Sequence, residues 1–203
     1  GIADRLRHFV ENGGTLLATF HFGMVDASAG CFLGDLPYDL SDVFGMIHQE
    51  TDYLPEGRCN SFTWHGRRYQ VTQICELLTL SGATAEAVYE TDFYKNSPVL
   101  TRHSYGKGTA WYLAADPEDA FLDDFYAGLL REYRITAYSC EKGVIITPMP
   151  EQKILCIQNY NSHEILQPLP GIWHDVESGS IYRDMLTLAP YSAVLIQQEI
   201  IKP

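Results

Sequence analysis

The hydrophobic pattern of the amino-terminal segment changes period once, and the change predicts a helix followed by a strand. Leu6, Phe9 and Val10 recur at the spacing of one helix face, and the Asn-Gly-Gly run at 12–14 follows. A helix usually ends at such a run, because glycine adopts the left-handed capping conformation without strain. Residues 15–22 are then almost all β-branched, aliphatic or aromatic. This run predicts a strand covered on both faces, as in a mostly parallel sheet.

In the middle of the chain, apolar and polar residues alternate as they do in β-strands. Apolar side chains at Phe62, Trp64, Tyr69 and Val71 flank a His-Gly pair at 65–66, which predicts a hairpin turn. Further strands are predicted at 74–80, 85–89, 98–103 and 109–115, with a second hairpin turn at 105–108, and a short helix is predicted at 40–46.

The clearest helical pattern covers residues 117–133. Asp116 is the expected cap, Pro117 suits the first helical position, and Phe121, Leu122 and Phe125 form a stripe facing the core. Beyond residue 135 only short strand patterns and turns recur, which is typical of a small antiparallel β-sandwich. We therefore expect two domains, residues 1–136 and 137–203.

Composition narrows the class of protein. The net charge is -12, from 26 acidic and 14 basic residues, and this argues against a nucleic-acid surface, which needs clustered Lys and Arg. No apolar run approaches the ~20 residues of a membrane helix. The five cysteines are an odd number, widely spaced and without a CxxC pair, so reduced thiols in a cytoplasmic protein are expected.

The sequence contains only poor matches to catalytic motifs. Cys31 lies in an AGCFLG segment that only poorly matches a nucleophile elbow, and no helix is predicted directly after it. The seven histidines have no metal-ligand spacing. Several carboxylates, Glu76 and Glu90 among them, lie near predicted strands, but nothing in the sequence pairs two of them as a glycosidase requires. We predict no catalytic, cofactor-binding or metal-binding residue.

Several phrases of the sequence resemble a known family. NGGTLLATF, the following HFGMVD loop, and the run from Tyr89 to Ala115 that ends in YGKGTAWYL are similar to the trimerisation domain of family-42 β-galactosidases. The resemblance covers residues 3 to 135. The LTLAPYSAVLI phrase more weakly resembles the last strand of the small β domain that ends many such enzymes.

The resemblance implies a three-layer α/β fold, flavodoxin-like and related to class I glutamine amidotransferases, followed by the β domain. In this family a (β/α)8 barrel comes first and carries both catalytic glutamates and any metal site. A helix with no strand before it suggests that this chain has been cut from a larger protein, without the barrel and the first strand of the α/β domain. By resemblance the parent is a retaining β-galactosidase, whereas this fragment is expected to be inactive and to need no cofactor.

The resemblance also implies partners: copies of the same chain in a homotrimer, and a galactoside substrate bound through the missing barrel. The residues expected at the subunit interface or active-site rim lie in two loops, and they are His21, Phe22, Met24, Asp26, Phe93, Tyr94 and Lys95. The alternative is a stand-alone amidotransferase-like or sugar-binding module, which a Cys-His pair at Cys31 would favour.

Overall fold

Antiparallel strands dominate the computed structural model, which describes residues 1–198. Strands hold 48% of the residues and helices 14%, in three sheets within this described part. The expected three-layer flavodoxin-like or amidotransferase-like fold is therefore wrong. Such a fold needs a helical crossover between parallel strands, whereas the segments between residues 60 and 113 return on themselves through tight hairpins.

The chain divides into two compact units, residues 1–129 and residue 130 onward. The elements that begin in the first unit are α1 (Ile2–Glu11), β1 (Thr15–Thr19), α2 (Ser41–Phe44), β2 (Met46–Tyr53), β3 (Asn60–Trp64), β4 (Arg67–Leu80), β5 (Thr84–Val88), β6 (Pro98–Tyr105), β7 (Gly108–Leu113), β8 (Ala115–Pro117) and α3 (Asp119–Glu132). The second unit holds β9 (Val144–Met149), β10 (Ile154–Asn159), β11 (Ile165–Asp175), β12 (Ile181–Leu188) and β13 (Ala193–Gln198). The domain boundary expected at residue 136 stays a prediction.

The first sheet has the order β1-β7-β6-β5, and only its β1–β7 pair is parallel. The hairpin between β6 and β7 packs tightly on the end of α1, since a Cβ at Gly108 would lie 2.1 Å from the carbonyl oxygen of Val10. β1 ends at Thr19, three residues before the expected Phe22. Among the described residues β1 pairs with β7 alone, so its outer edge carries unpaired backbone groups.

The second sheet is built around the long strand β4. β3 pairs with β4 from Arg67 to Val71, and β2 pairs with it from Ile74 to Leu80. The β3–β4 hairpin turns at His65 and Gly66, both at positive φ, which matches the predicted turn. A register shift lies between His48 and Glu50 of β2.

α3 begins later than expected. Pro117 pairs with Val71 as part of β8, so the helix starts at Asp119, and the cap at Asp116 was a wrong prediction. The apolar stripe is where the pattern placed it. Phe121 and Phe125 are buried in a cluster with Trp64 and with Trp111 of β7.

The second unit is one five-stranded antiparallel sheet with the order β12-β11-β13-β10-β9. Its core is made by apolar side chains that alternate along the strands, such as Leu155 and Ile157 of β10 and Trp173 of β11. Buried amides close its loops: the Asn159 side chain donates to the carbonyl oxygen of Ala189, and the Gln167 side chain donates to that of Ser139.

The burial of Phe125 gives a test of the first core. Its side chain is 1% exposed and contacts the rings of Trp64 and Trp111. Phe125→Ala should lower the free energy of unfolding by about 3–5 kcal/mol, because it removes buried apolar atoms and leaves a cavity that the neighbouring rings fill only in part. Urea titration measures this, and Tyr126→Ala, at an exposed site of the same helix, is the control. A loss no larger than that of the control would show that this helix face is not core.

Candidate functional site

The loop that follows β1 is held in an unusual backbone conformation. His21 has φ 63°, a left-handed value that is uncommon for a residue other than glycine. Its backbone N–H donates to Oε1 of Glu76 at 2.8 Å, and its Nε2 lies 3.1 Å from the hydroxyl of Tyr53. These contacts explain why the strand stops before Phe22, since the chain turns here toward a buried carboxylate.

Glu76 is fully buried in the middle of β4. Its Oε2 accepts a hydrogen bond of 2.7 Å from the hydroxyl of Tyr112 on β7, and Nε2 of His48 lies 3.8 Å from Oε1. Burial, and then the neighbouring Glu76 carboxylate, raise the pKa of Tyr112 well above its usual value. The phenol therefore stays a neutral donor at physiological pH, and one carboxylate joins the two sheets to the loop.

The other predicted residues of this loop, Phe22, Met24 and Asp26, make contacts that hold the loop in place. The ring of Phe22 is half-buried, with its centroid 5.6 Å from that of Phe44. The carbonyl of half-buried Met24 accepts from the N–H of Phe32. Oδ1 of exposed Asp26 accepts from the backbone N–H groups of Ser28 and Gly30, so this carboxylate stabilises a turn.

In the second predicted loop, at 93–95, two side chains are exposed and one is buried. Phe93 is 74% exposed and Lys95 is exposed, whereas Tyr94 is only 3% exposed. The hydroxyl of Tyr94 donates to Oδ2 of Asp52 at 2.9 Å, and burial is the main cause that raises the pKa of this phenol. Tyr94 therefore anchors the loop, and Phe93 and Lys95 are the side chains that face outward.

The end of β2 connects the two loops. Asp52 binds the second loop through Tyr94, and the adjacent Tyr53 contacts His21 in the first. Local sequence patterns do not reveal this connection, because the partners are far apart along the chain. Residues 52–57, DYLPEG, are typical of a connector in sequence, whereas the structure continues β2 through Asp52 and Tyr53.

Exposed apolar side chains accompany these loops. Leu33 is 92% exposed and Val25 is 52% exposed, and both lie in the excursion between β1 and α2. Cys31, in the same excursion, is an exposed free thiol, and no hydrogen bond or ionic contact within residues 1–198 joins it to a histidine. The structure therefore gives no support to an amidotransferase-like Cys-His pair.

The role of Glu76 is testable by substitution. Glu76→Leu should leave the Tyr112 hydroxyl and the His21 N–H without an acceptor, at a cost of about 1–3 kcal/mol for each unsatisfied group. Glu76→Gln retains an acceptor and a polar partner and should cost less. Urea titration gives the free energies, and hydrogen exchange at residues 20–22 reports the loop. Equal stability of the leucine variant and the unmodified chain would contradict this role.

The amino-acid sequence is similar to that of known β-galactosidases. Residues 1–136 match the family model of the β-galactosidase trimerisation domain. A β-galactosidase of Clostridium perfringens is 31% identical over 98% of this chain, and one of Planococcus sp. (strain SOS Orange) is 35% identical over 98%. The chain spans 31% and 30% of the length of these two relatives.

Solved structures agree with the sequence comparison. The β-galactosidase of Bacillus circulans sp. alkalophilus has a TM-score of 0.83 and 27% identity, over 98% of this chain and 31% of that one. None of the helices within residues 1–198 is long and apolar enough to cross a membrane. The chain belongs to the family-42 β-galactosidases, and residues 1–136 are their trimerisation domain.

Proposed function

We propose that this chain is the non-catalytic oligomerisation and C-terminal region of a retaining β-galactosidase. The match of residues 1–136 to the trimerisation domain is the observation that carries the proposal. Hydrolysis of terminal β-D-galactosides would take place in a barrel of the parent enzyme. The partner of this region would be further copies of itself, arranged around a threefold axis.

The two loops held by Asp52 and Tyr53 are the proposed contact surface. Phe93 and Leu33 are large apolar side chains that are 74% and 92% exposed, and covering each of them with a second chain would remove apolar surface from water. Lys95 and His21 add polar groups at the rim. Phe22, Met24 and Asp26 shape the first loop, and Tyr94 fixes the second from inside.

The state of the cysteines supports a cytoplasmic location. All five are free thiols, and Cys31, Cys59 and Cys140 are exposed. Exposed unpaired thiols persist best in a reducing compartment. The acidic balance, with a net charge of -12, also favours partners other than nucleic acid.

Assembly is the first test. Light scattering of the 203-residue chain at tens of micromolar should give about three times the monomer mass, as the trimeric symmetry requires. Phe93→Ser should lower this mass, because it removes an exposed apolar contact without entering the core. A strictly monomeric chain would refute the oligomerisation role.

A control separates the proposed surface from the open edge of β1. Leu17→Lys places a charge beside that edge and should disrupt strand-to-strand association only. Circular dichroism must first show that this variant folds, since Leu17 packs against the core. If Leu17→Lys yields monomers and Phe93→Ser does not, the association runs through the sheet edge and the loop surface is wrong.

Catalysis is the second test. A retaining glycosidase needs two carboxyl groups about 5–5.5 Å apart on either side of the scissile bond. Two of the candidate carboxylates accept hydrogen bonds that hold the fold: Glu76, inside β4, from His21 and Tyr112, and Glu90 from Ser61, Thr63 and Arg68. Under the proposal, the catalytic pair belongs to the barrel of the parent enzyme. The chain should therefore show no turnover of a chromogenic β-galactoside above a heat-killed control. Turnover that survives repurification would contradict the proposal.

A further inference from the structure

A groove lies beside β4, next to the side chain of Tyr53 that contacts the first loop. It has a volume of about 590 Å³, and the segment between β2 and β3 forms one wall. The side chains that matter for its chemistry are Tyr53, Arg58, Gln70, Thr72 and Gln73. We call it the β4 groove.

The strand pairing explains why the groove exists. β4 pairs with β3 as far as Val71 and with β2 from Ile74 onward, so Thr72 and Gln73 lie between the two paired stretches. The N–H of Leu54 donates to the carbonyl of Gln73 at 2.8 Å, after which residues 55–59 bow away. Interruptions of pairing of this kind often lie next to functional sites, because they redirect side chains.

Tyr53 supplies a flat, fixed apolar surface at the groove. Its side chain is 62% exposed, although large aromatic side chains usually bury more of their area. Its hydroxyl is held 3.1 Å from Nε2 of His21, and the two ring centroids are 6.1 Å apart. The ring is therefore restrained before any ligand arrives, which lowers the entropy cost of binding.

Four polar side chains that make no hydrogen bond or ion pair among residues 1–198 line the same groove as this ring. Within residues 1–198, the guanidinium of Arg58, the amides of Gln70 and Gln73 and the hydroxyl of Thr72 make no hydrogen bond or ion pair. Together they supply hydrogen-bond donors and acceptors in the groove that the Tyr53 ring also lines. A few convergent polar groups beside an aromatic surface are typical of small-ligand sites.

The chemistry selects a class of ligand. A pyranose has an apolar face of C–H groups that stacks on an aromatic ring, and hydroxyls at its edge that match amides and a guanidinium. An anionic ligand fits less well, because Glu56 lines the same groove and the chain has a net charge of -12. We propose that the β4 groove binds a neutral β-galactoside oligosaccharide. The choice of galactosides rests on the proposed function.

The test is a titration of the isotope-labelled 203-residue chain followed by amide NMR shifts. The probes are lactose and a β-linked galactotriose, with maltotriose to measure selectivity for the sugar. Shifts should concentrate at residues 53–59 and 70–73 and saturate in the millimolar range. Tyr53→Ala and Gln73→Ala should each weaken binding about tenfold, equivalent to about 1.4 kcal/mol.

Matched variants control for general disturbance. Tyr53→Phe keeps the ring and loses only the contact with His21, so it should retain most of the affinity. Gln49→Ala, at an exposed glutamine of β2 outside the groove, and Tyr126→Ala on α3 should bind like the unmodified chain. Spectra without sugar confirm that each variant folds.

Three results would overturn the inference. They are an absence of saturable shifts with either galactoside, shifts unaffected by Tyr53→Ala and Gln73→Ala, and maltotriose binding as tight as galactotriose binding. Oligomeric mass is measured separately by light scattering. A chain that trimerises without binding sugar refutes the groove alone, and a monomeric chain that binds galactotriose refutes only the assembly role.

Discussion

The first unit depends on a buried carboxyl group placed where two sheets and a loop meet. A carboxyl side chain with no exposed surface is costly to bury unless its oxygens accept hydrogen bonds. Glu76 meets this requirement with the Tyr112 hydroxyl and the His21 N–H. The same contacts that satisfy the carboxylate also fix the positive φ of His21, so the cost of burial and the shape of the loop are coupled.

This coupling extends to the surface through β2. The strand delivers Asp52 to one loop and Tyr53 to the other, and both contacts use hydroxyl groups. The loops are thus not independent insertions on a scaffold. Exposed side chains such as Phe93 are presented by residues whose own side chains are buried or hydrogen-bonded, and this preorganisation favours recognition of a partner.

The sequence carried local information well and long-range information poorly. Tight turns such as His65–Gly66 and the apolar stripe of α3 follow from neighbouring residues, so periodicity located them. The fold class was wrong because the family resemblance was taken to imply a three-layer α/β fold, and the apolar run at 15–22 agreed with a parallel sheet. Among the strands within residues 1–198, only the β1–β7 pair is parallel. The burial of Tyr94 and the partners of Glu76 depend on residues distant in sequence, which no local pattern encodes.

The register of β2 has a consequence for how this unit tolerates insertions and deletions. Neighbouring side chains of a strand face opposite sides, so a slip of one residue exchanges them. The bulge between His48 and Glu50 sets the phase in which Asp52 and Tyr53 arrive at their partners. Lengthening the segment at Gly57, where an added Cβ would meet nothing, leaves that phase intact. A single-residue deletion inside β2, before Asp52, would instead turn the Asp52 and Tyr53 side chains to the opposite faces of the strand. Tyr94 would then lose its contact with Asp52, and His21 would lose its contact with Tyr53.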